Sequence, residues 1–119
     1  FIYSCNTGAQ AARGEFLLLF NNDTEPQLQW LSALVNTFRD MPDAGMVGAK
    51  LLYPDGRLQE AGGIVWQDGS AWNYGRDDDP NRPEYSWCRQ VAYCSGACLM
   101  LLSADFAALG MFDTLYTPA

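Results

Sequence analysis

The sequence predicts an α/β fold, and three observations carry that prediction. Phe16-Leu17-Leu18-Leu19-Phe20 is an apolar run without alternation, the pattern of a strand covered on both faces, as inside parallel sheets. Ahead of it, Ala9-Gln10-Ala11-Ala12-Arg13 has high helix propensity and stops at Gly14, so that helix, short loop and buried strand follow in order. Behind it, Leu28, Leu31, Leu34, Val35 and Phe38 recur at helical spacing with Trp30 beside them. They predict a helix from about Gln27 to Arg39, ended by Pro42.

Taken in order, Phe1-Ile2-Tyr3 reads as the end of a short strand, and Asn6-Thr7-Gly8-Ala9 turns into the first helix. The apolar run halts at Asn21-Asn22-Asp23-Thr24-Glu25-Pro26. Ligands of open α/β sheets gather at the carboxyl ends of strands, so Asp23 stands where a metal or phosphate is expected. Equally, Asn22, Asp23 or Thr24 caps the following helix, with Pro26 in its first turn. The local sequence leaves both readings open.

Gly45 to Tyr53 reads as a second strand whose glycines mark a bulge or close backbone approach. Tyr53-Pro54-Asp55-Gly56 has the signature of a type I turn. Gly62-Gly63 is a break, Ile64-Val65-Trp66 a short strand, and Asp68-Gly69 a turn. From Ser70 to Arg89 there is no period, and the stretch reads as a loop. Its Asp77-Asp78-Asp79 run lacks EF-hand spacing and reads as a solvated acidic segment. Trp72, Tyr74, Tyr85 and Trp87 flank it, able to stack on a sugar or base or to pin the loop to the body. Gln90–Cys94 followed by Ser95–Leu102 reads as strand, tight approach and strand. Ser103 is expected to cap a short helix, Ala104–Leu109, closed by Gly110.

Composition removes whole classes of function. The 119 residues make one domain or part of one. Fourteen acidic residues against seven basic ones give a net charge of −7. That balance argues against nucleic-acid binding and against a polybasic membrane patch. There is no histidine, which removes Ser-His-Asp and Cys-His chemistry and every histidine-ligated metal site. A metal would have to use carboxylate and amide oxygens, which suits Mg²⁺ or Mn²⁺. Cys5, Cys88, Cys94 and Cys98 form no zinc pattern and read as reduced thiols of the cytosol. No apolar run reaches membrane-spanning length.

Several pieces, in this order, resemble family 2 glycosyltransferases, most closely the bacterial rhamnosyltransferase-like, O-antigen and cell-wall branch. They are Asn6-x-Gly8, the stretch Ala12 to Pro26, Trp30-Leu31, and Val47 to Gly63 with its Glu60-Ala61-Gly62-Gly63. Ser95-Gly96-Ala97-Cys98 and Leu109-Gly110-Met111-Phe112-Asp113 complete them.

The resemblance implies part of a GT-A fold, a Rossmann-like mixed sheet with flanking helices. It implies transfer of a sugar, with inversion, from a nucleotide-diphosphate sugar to a hydroxyl of a glycan or lipid-linked acceptor. The family's D-x-D element falls on Asn21-Asn22-Asp23. Asp23 matches the aspartate that binds Mg²⁺ or Mn²⁺ on the donor diphosphate. Asn21 replaces the first aspartate, which weakens metal binding or turns this side chain to the donor's sugar or ribose. Ser95 and Gly96 match the acceptor side, where Gly96 either admits substrate to the backbone or marks a bulge.

Gly110-Met111-Phe112-Asp113 and Tyr116 match the lead-in to the family's Glu-Asp pair, whose aspartate is the general base. That base is expected beyond Ala119, and the nucleobase-binding part ahead of Phe1. Residues 1–119 are thus expected to be an internal fragment of one catalytic domain, inactive alone. Its cut sheet would favour an oligomer or domain swap. The full-length protein is expected in the cytoplasm, at the inner-membrane face. A nucleotidyltransferase, or a non-catalytic carbohydrate-binding module using Trp66, Trp72, Tyr74, Tyr85 and Trp87, are the competing readings. A central parallel strand at Phe16–Phe20 with Asp23 exposed at its end would favour an enzyme. An edge or antiparallel strand with Asp23 far from any cleft would sink both enzyme readings.

Overall fold

Two apolar runs far apart in sequence zip together to form the centre of the molecule. In the structure, a computed structural model describing residues 1–117, β1 (Phe16–Phe20) lies antiparallel to β7 (Cys98–Leu102), with Phe16 opposite Leu102 and Phe20 opposite Cys98. β2 (Met46–Gly48) pairs antiparallel with the other edge of β7, giving the order β1-β7-β2. β1 and β2 therefore run in the same direction with β7 reversed between them, and both pairings are antiparallel. The expectation of a central parallel strand at Phe16–Phe20 is corrected. β1 is an edge of this sheet among the described residues, and β7 is the strand flanked on both sides. An apolar run reports that both faces are covered but is the same whichever way its neighbour points.

Both faces are indeed covered. Phe16 and Leu18, with Val47, Cys98 and Met100, face α2 (Trp30–Asp40), where Leu34, Val35 and Phe38 complete one core. Phe16 stacks on Phe38 and Phe20 on Trp30, with centroids 5.1 and 5.0 Å apart. Leu17 and Leu19, with Leu99 and Leu101, face Ala9 of α1 (Ile2–Ala11) and Phe106 of α3 (Ser103–Ala108). The result is a helix–sheet–helix sandwich around three short strands.

Two hairpins extend from this body. β3 (Leu51–Leu52) pairs with β4 (Leu58–Glu60), and β5 (Gly63–Val65) with β6 (Ala71–Asn73). The Tyr53–Gly56 turn forms as expected, Gly56 N–H donating to the Tyr53 carbonyl at 2.9 Å, and Gly69 N–H closes the second turn on Trp66 at 2.9 Å. No helix among the described residues is long and apolar enough to cross a membrane.

Other expectations are corrected. Phe1–Tyr3 is no strand, because α1 already begins at Ile2, whose side chain is buried. The second strand divides into β2 and β3, which join different sheets. The stretch read as loop from Ser70 contains β6, paired with β5 across the Asp68-Gly69 turn. Gln90–Cys94 forms no strand beyond a single bridge between Tyr93 and Gly63. Ser103 does not cap α3; its hydroxyl donates to the Gly14 carbonyl at 2.6 Å and ties the helix start to the loop before β1. Asn6 clamps α1 to the segment after α3, because its side chain donates to the Phe112 carbonyl at 2.8 Å and accepts the Phe112 N–H at 3.0 Å.

Candidate functional site

Beyond Phe20 the chain leaves the sheet in a tight turn. Thr24 N–H donates to the Asn21 carbonyl at 3.2 Å, which places Asn22 and Asp23 at the tip. Asn21, Asn22 and Asp23 are all exposed. α2 starts only at Trp30, its N-cap is Gln29 in a left-handed conformation (φ 64°), and no side chain caps it. The capping reading of Asn22, Asp23 and Thr24 therefore falls. Among the described residues, no hydrogen bond or ion pair engages the Asp23 carboxylate.

The register of the sheet decides what lies beside this turn. Because Phe20 faces Cys98, the next residue on β1 meets the one before β7, and Asn21 N–H donates to the Ala97 carbonyl at 3.0 Å. Asn21 and Ala97, remote in sequence, thus become adjacent. Ser95 Oγ in turn accepts the Ala97 N–H at 3.2 Å. Gly96 is not in a bulge that only glycine could adopt: an added Cβ would lie 3.5 Å from the Phe1 ring, an ordinary contact. Its backbone is approachable because it lacks a side chain, not because the fold requires that lack.

Glu60 is the residue that sequence reasoning left without a role. It is 2% exposed, and its Oε1 accepts the Ser95 N–H at 2.9 Å. Burial pushes its carboxyl above the ordinary range, and the Ser95 N–H offsets part of that shift. The signal available in sequence was its position two residues after Leu58, on the inward face of β4. The neighbouring glycines also have a reason. Side chains at Gly62 and Gly63 would run into Val91 and Tyr93, and one at Gly48 would stand 2.5 Å from Cys94 Cβ. Residues 91–95 are thus fitted one by one against β2, β4 and β5.

The described residues contain no cluster of three or more His, Cys, Asp or Glu placed to hold a metal ion. Asp23 offers one carboxylate, with the Asn21 amide two residues away. A single carboxylate completed by substrate phosphates is an ordinary arrangement for Mg²⁺, so the turn fits a metal carried in with a diphosphate rather than one caged by protein.

The Asp77–Asp79 run is a largely exposed acidic loop, as expected, and it is also docked on β4. Leu58 N–H donates to the Asp78 carbonyl at 2.9 Å and Asp77 N–H to the Leu58 carbonyl at 2.8 Å, docking it on β4. Asp77 pairs with Arg57 at 2.6 Å, and Asp78 accepts from Arg82 at 2.7 Å and the Tyr85 hydroxyl at 2.8 Å. The Tyr85 hydrogen bond first, with the Asp79 N–H and Arg82, holds the Asp78 carboxyl below its usual range. Tyr74 and Tyr85 help pin this segment, meeting edge-on at 5.2 Å, and Arg89 lies 4.3 Å from the Tyr74 ring and 4.5 Å from that of Trp87, while Trp72 and Trp87 stay more than half exposed. Two surface hollows, one beside Asp55–Arg57 and Asp77–Pro80 and one beside Gly63–Val65 and Arg89–Ala92, are lined by none of residues 21–23.

Comparison with known proteins bears on this arrangement. The sequence profile described as glycosyl transferase family 2 matches residues 1–109. The chain is 36% identical over 114 residues to the O-antigen biosynthesis protein RfbC of Myxococcus xanthus, covering 91% of this chain and 9% of that protein. It is also 36% identical over 118 residues to the uncharacterized protein y4gI of Sinorhizobium fredii (strain NBRC 101917 / NGR234), covering 92% of this chain and 13% of that one. The chain spans about an eighth or less of the length of either relative. No solved structure gives a significant match.

Proposed function

This chain belongs to glycosyl transferase family 2, and from that premise we propose that it contributes the donor-diphosphate turn and part of the acceptor side of an inverting, metal-assisted sugar transferase. The observation that carries this reading is the Asp23 turn: exposed, uncommitted to any cap or ion pair, and bonded through Asn21 to Ala97 of the Ser95-Gly96-Ala97 segment. β1 is an antiparallel edge of its sheet, the placement set against an enzyme on sequence grounds; the family match and the Asn21–Ala97 bond at the carboxyl end of β1 support the enzyme reading instead.

In this proposal the Asp23 carboxylate is one oxygen ligand of a Mg²⁺ or Mn²⁺ ion bound with a nucleotide-diphosphate sugar. The ion would supply neutralisation of charge building on the departing nucleoside diphosphate. Asn21, an uncharged amide beside Asp23, orients a hydroxyl of the donor sugar or ribose. On the other side, Ser95 and the bare Gly96 backbone receive the hydroxyl-bearing acceptor, a glycan or a lipid-linked glycan. The O-antigen role in the name of the M. xanthus relative supports an acceptor of that class.

Isothermal titration tests the reading, comparing UDP- and dTDP-sugars with nucleoside triphosphates in the presence of Mg²⁺, on the wild type and on Asp23→Asn. Metal-dependent binding of a diphosphate sugar that Asp23→Asn weakens by about tenfold or more is expected. Preference for a triphosphate would favour nucleotidyl transfer instead.

A further inference from the structure

The buried carboxylate of Glu60 takes no part in the chemistry proposed above, yet burying a charged group is unfavourable unless it is hydrogen-bonded. Its bond reaches 35 residues along the chain to the Ser95 backbone rather than to a cation. From there a relay of bonds leads to the surface. Ser95 Oγ accepts from Ala97 N–H at 3.2 Å, the Ala97 carbonyl accepts from Asn21 N–H at 3.0 Å, and the Asn21 carbonyl accepts from Thr24 N–H at 3.2 Å, closing the turn that presents Asp23. Residues 92–97 form no strand of their own, so no regular ladder holds them. Their position rests on Gly63, whose N–H donates to the Tyr93 carbonyl at 2.9 Å and whose carbonyl accepts from Ala92 N–H at 3.1 Å, on the Gly48–Cys94 contact, and on Glu60.

We propose that Glu60 is a positioning residue: by holding the Ser95 N–H it fixes the Ser95-Gly96-Ala97 backbone and, through Ala97 and Asn21, the Asp23 turn, keeping the acceptor and donor sides in one register. The inference rests on the reading of these two segments as the sides of a transfer site. Glu60 touches neither substrate in this account and acts only through the backbone it anchors.

The test compares Glu60→Gln, which keeps an oxygen acceptor at the same reach, with Glu60→Leu, which keeps bulk and removes the acceptor. Two readouts are taken on the full protein: amide hydrogen exchange at Ser95 and Asn21, and kcat and KM for transfer from a UDP- or dTDP-sugar. Glu60→Leu is expected to speed exchange at Ser95 about ten- to a hundredfold, with a smaller rise at Asn21, and to lower kcat/KM to a similar degree. Glu60→Gln is expected to stay within about threefold of the wild type on both, a rescue that bulk alone does not explain.

Unchanged exchange at Ser95 in Glu60→Leu, or unchanged kcat/KM with faster exchange, overturns the proposal. If Glu60→Leu does not fold, Glu60→Asp carries the same test, because it keeps the charge but draws the acceptor back by one methylene. Absence of transfer by the wild type overturns the proposed function separately. Exchange at Ser95 and Asn21 then still decides whether Glu60 sets the turn.

Discussion

Asn21 donates its backbone N–H to the carbonyl of Ala97 at 3.0 Å, one step beyond the last paired residues of β1 and β7. Through this bond the turn carrying Asp23 is fastened to the segment carrying Ser95. Asn21→Pro removes the donor while its fixed φ still suits the end of a strand. A loss of about 1–2 kcal/mol in urea unfolding is expected for it. Asn21→Ala keeps the N–H and removes only an exposed side chain, so a change within about 0.5 kcal/mol is expected. Equal effects of the two variants would show that the bond does not hold the turn.

Asp23 separates function from stability. It is exposed on a turn and caps nothing. Asp23→Asn should therefore leave the unfolding midpoint unchanged within about 0.5 kcal/mol. Its effect belongs to ligand binding: removing Mg²⁺ with EDTA should weaken UDP-sugar binding in the wild type by about tenfold or more and add little to the loss in Asp23→Asn. Additive losses would mean that the metal is held elsewhere.

How much of this was legible in the sequence follows from the range of each interaction. The strand at Phe16–Phe20 was readable because five consecutive bulky side chains need cover on both faces, a property of the run itself. The direction of its partner was not, because β7 lies far along the chain and pairing leaves no mark on an apolar run. The periodicity starts α2 too early because Leu28 fits the helical spacing, although it is 98% exposed and Gln29 breaks the helix with a positive φ. The position of Asp23 was legible as a strand end. What lies beside it was not, since the contact with Ala97 depends on register. Glu60 stood inside a matched motif, but its role required knowing that Ser95 lies opposite.

Glu60 also gives the stability of the chain a particular pH dependence. Its carboxyl is shifted up in the folded state, first by burial, so the folded chain holds that proton more tightly than the unfolded one. Its contribution to stability is fully present below the unfolded value of 4.5 and is lost as pH rises through the higher folded value. Asp55, Asp68 and Asp78, shifted down chiefly by the hydrogen bonds of Arg57, Ser70 and Tyr85, work in the opposite sense and lose stability as pH falls below their unfolded value of 3.8. Glu60→Gln removes the first effect and leaves the second. Urea unfolding of the two proteins from pH 4 to 8 is expected to show the variant gaining on the wild type as pH rises, then running parallel. A gap that stays constant across the range would mean that Glu60 titrates alike in both states.

Gly48 and Cys94 provide the sharpest packing test, because the space between them is defined atom by atom. A Cβ on Gly48 would stand 2.5 Å from Cys94 Cβ and 2.7 Å from its Sγ, closer than real side chains approach. Gly48→Ala must therefore push β2 away from residues 91–95 or displace Cys94 into the core of Leu17, Leu99 and Phe106, against which it packs. A cost of about 1–3 kcal/mol is expected. The identity of the obstructing atom can be settled by a second substitution. Cys94→Ala removes the sulfur but keeps the Cβ, so in the Gly48→Ala background it should relieve little of the strain. Cys94→Gly removes both atoms and should recover most of the interaction energy in a double-mutant cycle, after allowance for its own loss of packing. Recovery with Cys94→Ala would place the collision at the sulfur alone, and β2 would then stand farther from this segment than the structure has it.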